Sequence, residues 1–258
     1  MTDAQQQALV EGALEANGGR ISLSVQATDN SAARVLSRIE RLATQGVTIA
    51  VVAQPSLFSN VVANTTPARI LRYYNEIFER SPLEIGFYDR GSRPEFPFPA
   101  ALLEEIYAHP RVTMIKDSSQ NAERMTYALR ARALRPDLQI LSGDEFACME
   151  YLRAGYDGFM LGGAVLNAVY VRRLMRAYDE GRMDEAGRID ERARQMLNSV
   201  YGGEKAPCWL AGLKYCLHRM GIFTHYQFNY LEFELTNDCR QAVDRVVETE
   251  EEYLFAAR

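Results

Sequence analysis

Six short runs of strand-forming residues, each followed by a segment of helical period, set the beat of this chain. The runs are Ile21–Val25, Val47–Ala53, Leu83–Tyr88, Arg111–Lys116, Leu138–Ser142 and Asp157–Leu161. A helix over Asp3–Ala16 opens the chain, and Asn17-Gly18-Gly19 supplies its stop. Between the runs, Ala33–Ala43 carries Val35, Leu36, Ile39 and Leu42 on one face, and Thr65-Thr66-Pro67 starts a helix that continues through Ile70–Phe78. Further helices are expected over Pro99–Ala108, Asn121–Leu134, 144–154 and 164–180, with Asp144 as an N-cap. Val47–Ala53 is apolar on both faces but for Thr48, the mark of a parallel strand covered by helices. Strand and helix in strict alternation give the α/β class, and the even beat favours a (β/α)-barrel over a doubly wound sheet. Strand signals stop after Gly181. Residues 1–181 are therefore assigned to the barrel, and 182–258 to a C-terminal helical extension of three or four helices.

Charge and composition narrow the partners. The net charge is −5, and 29 Lys and Arg are scattered among 34 Asp and Glu. With no basic patch, nucleic acid and anionic membrane are not expected partners. No apolar run approaches the roughly 18 residues of a membrane span, and the first twenty residues are polar, so a cytoplasmic protein is expected. Cysteines at 148, 208, 216 and 239 and histidines at 109, 218 and 225 follow no metal-ligand spacing. No metal and no cofactor are expected.

In a barrel the chemistry gathers at the carboxyl ends of the strands. Those ends read Gln26-Ala27-Thr28, Gln54-Pro55-Ser56, Tyr88-Asp89-Arg90, Lys116-Asp117-Ser118, Ser142-Gly143-Asp144 and Gly162-Gly163. Lys116 is the unusual member, because a buried ammonium is costly and escapes by giving up its proton, which leaves an amine that attacks carbonyls. A lysine that caps the sheet edge or pairs with Asp117 or another carboxylate is the alternative. Tyr88 ends the preceding strand and could relay protons while a carbinolamine forms and loses water; it could equally be an aromatic closing a barrel layer. Arg93, in the following loop, has the fork to clamp a carboxylate. Gly162-Gly163 would let backbone amides approach an anion at a helix N-terminus, unless it is a plain strand-to-helix turn. Gly143, Met160 and Gly162 join Arg93 as candidate substrate-binding positions.

Tyr88, Ser92-Arg93, Met114-Ile115-Lys116-Asp117-Ser118-Ser119, Leu141-Ser142-Gly143-Asp144 and Gly155-Tyr156-Asp157-Gly158, in this order and spacing, resemble the dihydrodipicolinate synthase and N-acetylneuraminate lyase family. The likeness runs from about residue 3 to residue 223 and includes Lys214–Gly221. It implies an eight-stranded TIM-type (β/α)8 barrel, here N-terminally incomplete with six readable strands, and a helical extension. It also implies a homo-oligomer, dimer or tetramer, and class I aldolase chemistry. In that chemistry Lys116 forms a Schiff base with pyruvate or another 2-oxo acid, Tyr88 transfers protons and Arg93 holds substrate carboxylate.

The chain also departs from that family. Two opening strands and a Gly-Thr-Thr-Gly-Glu segment that binds the pyruvate carboxylate have no counterpart, and Thr65-Thr66 lies at the start of a later helix. Six strands alone would leave two unpaired edges, so the start lies upstream, another part of the assembly supplies the strands, or the barrel is open. The usual Tyr-Asn-x-Pro is Tyr88-Asp89-Arg90-Gly91, which would add a charge beside the site, and Ser56-Leu57-Phe58 replaces a tyrosine pair. Two readings remain: a lyase or aldolase acting on pyruvate plus an aldehyde or on a 2-oxo-3-deoxy sugar acid, and a catalytically impaired homologue that binds a 2-oxo acid or a partner subunit.

Overall fold

The computed structural model describes residues 2–56, 58, 66–92, 98–227 and 233–254. The chain forms two compact units, Met1–Asp144 with Gly155–Phe159, and Glu145–Ala154 with Met160–Arg258.

The first unit holds one parallel sheet of six strands: β1 Ser24–Gln26, β2 Ile49–Ala53, β3 Glu84–Asp89, β4 Val112–Asp117, β5 Gln139–Ser142 and β6 Gly158–Phe159. Their spatial order is their sequence order, β1-β2-β3-β4-β5-β6. A doubly wound sheet reverses its order at a switch point, and an order without reversal is that of a (β/α) barrel. Here the barrel is partial: among the described residues β1 and β6 do not pair. Each strand lies within three residues of its expected position, and the largest offset is at β1, which pairs at Ser24–Gln26 rather than from Ile21.

Among the described residues the helices of this unit include α1 Asp3–Asn17, α2 Ala32–Gln45, α3 Pro67–Arg80, α4 Leu102–Ala108 and α5 Ala122–Leu134. Local chemistry sets their ends. Thr2 and Gln5 form a reciprocal capping box on α1, Thr66 accepts from Arg69 N before Pro67 opens α3, and Asn121 accepts from Arg124 N on α5. Gly46 ends α2 in the left-handed region, at φ +93°, where a side chain would be strained. The faces these helices turn inward bury Val35, Leu36, Ile39, Leu42, Ile70, Tyr74, Ile77 and Phe78. Tyr74 makes edge contacts with Phe87 and Phe98, and Phe87 with Tyr107, with ring centroids 5.3–6.2 Å apart, so an aromatic layer backs β3.

The second unit is helical: α6 Cys148–Ala154, α7 Ala164–Asp179, α8 Met183–Tyr201, α9 Trp209–Arg219, α10 Asn237–Thr249 and α11 Glu251–Leu254. Gly181, at φ +74°, turns the chain between α7 and α8. Asp144 is not the cap expected of it. Its own N–H is taken by Ser142 Oγ at 3.0 Å, its carboxylate accepts from Gln120 Nε2 at 3.1 Å, and helix begins only at Cys148. The serine hydroxyl holds 142–144 in a turn that competes with helix initiation. No helix among the described residues is long and apolar enough to cross a membrane.

Candidate active site

β3 and β4 carry the site, and their register decides it. Tyr88 pairs with Lys116 and Asp89 with Asp117, after an irregularity between Ile85 and Gly86. Successive strand residues face opposite sides, so Tyr88 and Lys116 share one face while Asp89 and Asp117 share the other.

On the first face, Lys116 Nζ stands 4.4 Å from the Tyr88 ring centroid. Both side chains are half-buried rather than sealed in the core. One layer below, a Cβ on Gly86 would lie 2.5 Å from Met114 Cε, so the glycine lets the methionine fill the floor beneath the pair. Gly143, at the end of β5, is also placed by close approach: a Cβ there would lie 1.8 Å from Ser118 Oγ and 2.9 Å from Lys116 Cε. Its N–H donates to Asp117 O at 2.6 Å. Among the described residues Lys116 enters no ion pair, and Asp117, its sequence neighbour, faces away.

The second face is saturated. Asp89, 2% exposed, receives Arg124 Nε on Oδ2 at 2.8 Å and Nη2 on Oδ1 at 2.6 Å; Gly91 N donates to Oδ1 at 2.9 Å and Tyr107 OH to Oδ2 at 3.2 Å. Asp117 receives Ser119 N at 2.8 Å and Tyr156 OH at 2.6 Å. Burial works against the Arg124 charge, yet the Asp89 hydrogen bonds and charge hold its guanidinium pKa above the ordinary value. Burial, with Asp89 and Asp117 nearby, pushes the Tyr107 hydroxyl well above its ordinary range, so it is a standing donor. The charge that Asp89 was expected to add beside the site therefore lies behind the sheet, and a guanidinium offsets it.

Of the expected site residues, Tyr88, Lys116 and Gly143 come together. Arg93 lies outside the described residues. Met160, just past β6, is half-buried in the second unit. Gly162 is exposed in that unit, its missing Cβ 3.4 Å from the Trp209 ring. The amide expected to meet an anion is engaged, since Gly163 N donates to Glu145 Oε2 at 2.5 Å and Tyr201 OH to Glu145 Oε1 at 2.6 Å. A Cβ on Gly163 would lie 2.6 Å from that hydroxyl, so packing requires the glycine.

Sequence reasoning missed Arg124 and Tyr107, and it gave Ser118 and Tyr156, though both lie in the motifs quoted, no role of their own. Parity was the available signal: once Tyr88 and Lys116 face the site, the aspartate after each must face the helices and needs donors there.

Together with the family and relatives that the chain matches, the partial (β/α) barrel defines the class of protein, a lyase of the class I aldolase type. The chain belongs to the dihydrodipicolinate synthetase family, whose model matches residues 1–250. It is 27% identical over 225 residues to a 4-hydroxy-tetrahydrodipicolinate synthase of Stenotrophomonas maltophilia, covering 86% of this chain and 71% of that one. An N-acetylneuraminate lyase of Lactiplantibacillus plantarum is 25% identical over 163 residues, covering 63% and 53%. Among solved structures, a prophage protein of the dihydrodipicolinic acid synthase family from E. coli K12, in complex with pyruvate, superposes with a TM-score of 0.78 at 14% identity, over 97% of this chain and 82% of that one.

Proposed function

We propose that the protein is a Schiff-base-forming lyase or aldolase whose substrate is pyruvate plus an aldehyde, or a 2-oxo-3-deoxy sugar acid, with Lys116 as the nucleophile. The observation that carries this is the Lys116 amine held at 4.4 Å over the Tyr88 ring at paired strand ends. The chain's use of cations supports it. It has three lysines, Lys116, Lys205 and Lys214, among 29 Lys and Arg, so arginine is its usual cation. Arginine cannot form an imine, because its guanidinium stays protonated. A lysine at this one strand end is the residue the chemistry needs.

In this reading the neutral Lys116 amine adds to the C2 carbonyl of the 2-oxo acid, and the oxygen takes a proton. Loss of water from the carbinolamine gives an iminium, whose positive charge draws electrons from C3. In the condensing direction C3 loses a proton, and the resulting enamine attacks the aldehyde carbon. In the cleaving direction the C3–C4 bond breaks and leaves the same enamine. The Tyr88 hydroxyl moves protons onto and off the C2 oxygen. Tyr88→Phe keeps the ring under the amine and removes the proton carrier. It is expected to lower kcat by about a hundredfold with a much smaller change in KM.

The test is borohydride reduction in the presence of pyruvate, read by peptide mass spectrometry. A reduced adduct on the peptide that carries Lys116, absent from Lys116→Met, is the expected result. An adduct confined to Lys205 or Lys214, or none, would overturn the assignment.

A further inference from the structure

We infer that Arg124 is a positioning residue for the Lys116 amine, acting through the Asp89 carboxylate from behind the sheet. The inference rests on the reading of Lys116 as the nucleophile for its consequence in turnover, though not for its geometry.

The buried guanidinium, 3% exposed, pins three points with one rigid plane. Nε and Nη2 hold the two oxygens of Asp89, and Nη1 donates to Phe98 O at 2.8 Å. The first two fix the end of β3 one residue beyond Tyr88. The third fixes Phe98, whose own N–H donates to Ser92 Oγ at 2.9 Å, so Ser92, three residues past Asp89, is tied to the same anchor.

An ionised carboxylate has about four lone-pair sites. Asp89 uses its oxygens for four donors: two from Arg124, one from Gly91 and one from Tyr107. A carboxylate held on four sides cannot rotate, and neither can the backbone that carries it. The lock then passes to the β4 end through Ser118 N, which donates to Asp89 O at 2.9 Å, and from β4 onward to Gly143, whose N–H donates to Asp117 O at 2.6 Å. Lys116 lies between Tyr88, whose strand end is fixed by Arg124, and Gly143, which approaches its Cε.

Stability alone does not account for this arrangement. A buried ion pair is often no more stabilising than an apolar pair of the same volume, because desolvation offsets attraction. Its distinctive product is direction. A reacting amine must be held within about 0.5 Å of its productive place, and a misplacement of about 1 Å can cost a hundredfold in rate.

The test uses Arg124→Lys, which keeps the charge and loses the fork, with Asp89→Asn as a second variant should the first fail to fold. The wild type's three lysines make Nζ-dimethylation with 13C a simple NMR probe; Arg124→Lys adds a fourth, so Lys116→Arg made in both backgrounds assigns the Lys116 resonance. In the wild type the Lys116 methyls lie over the Tyr88 ring and resonate upfield of those on Lys205 and Lys214. The expected result is a folded Arg124→Lys protein in which that upfield shift is lost. In the unmethylated variant, borohydride trapping of pyruvate on Lys116 slows between about tenfold and a hundredfold, while KM for pyruvate changes less. Retention of the wild-type shift in a folded variant would overturn the inference. If the wild type shows the shift and Arg124→Lys loses it, yet pyruvate is never trapped, the inference stands and the proposed reaction fails.

Discussion

The two faces of the β3–β4 end are built from adjacent residues and follow opposite rules. On one, Tyr88 and Lys116 are half-buried, and a ring-to-amine contact of 4.4 Å is the interaction between them. On the other, Asp89 and Asp117 are buried to 2% and 1% exposure, and each oxygen of both receives at least one donor. Buried charge demands full satisfaction, whereas a group meant to react must keep an open side. A strand lets one peptide serve both demands, because its side chains alternate. On the proposed reading, the saturated face holds the backbone still, and the open face inherits that stillness while Tyr88 and Lys116 stay half-buried.

Cation removal breaks this contrast most sharply. Arg124→Met leaves Asp89 as an unpaired buried charge and is expected to lower unfolding free energy by about 3–5 kcal/mol, seen as a lower urea midpoint. Lys116→Met, on the open face, is expected to change stability by less than about 1 kcal/mol while abolishing pyruvate trapping. Equal stability losses from the two substitutions would erase the distinction between the faces.

Much of this was legible beforehand, for a physical reason in each case. Val47–Ala53, buried on both sides, and the repeating strand–helix beat announced the parallel sheet, since hydrophobic period reports burial directly. Tyr88 and Lys116 could be paired because sequential strands in such a fold are neighbours. Asp89 was misread because its role depends on Arg124, thirty-five residues away, and a long-range partner leaves no local trace. For Gly162-Gly163 the sequence leaves open an anion-binding amide and a plain strand-to-helix turn, and the constraint at Gly163, the Tyr201 hydroxyl arriving from another helix, leaves no local trace. Gln120, in the left-handed region at φ +51° just after the β4 end, likewise gives no signal, because glutamine rarely adopts it.

A smaller effect sharpens the comparison on the open face itself. Gly143→Ala places a Cβ against Ser118 Oγ and Lys116 Cε, so one of them must move. Pyruvate trapping on Lys116 is expected to slow by about tenfold. Ser118→Ala in the same chain removes the closer clash and is expected to recover part of that rate. No recovery in the double variant would show that Lys116, not Ser118, gives way.

The smallest expected effect lies at the rim of the helix-facing side, where saturation depends on pH. His109 follows α4 and packs its ring 5.0 Å from Phe78. Its Nδ1 accepts from Arg111 N at 3.2 Å, which requires the unprotonated nitrogen. Burial lowers its pKa below the ordinary 6.5; Glu79 opposes the shift, and Arg111 and Arg135 add to it. The folded state therefore holds the proton less tightly than the unfolded chain. By linkage the histidine's contribution is intact above about pH 6.5, and it is lost as pH falls below that value toward the folded pKa. In His109→Gln a side-chain carbonyl can accept the Arg111 N–H at any pH. The wild type is thus expected to lose slightly more thermal stability than the variant between pH 7.5 and pH 5. Parallel Tm profiles for the two proteins would mean that His109 is wetter than its packing against Phe78 implies, and that the saturated face ends before it.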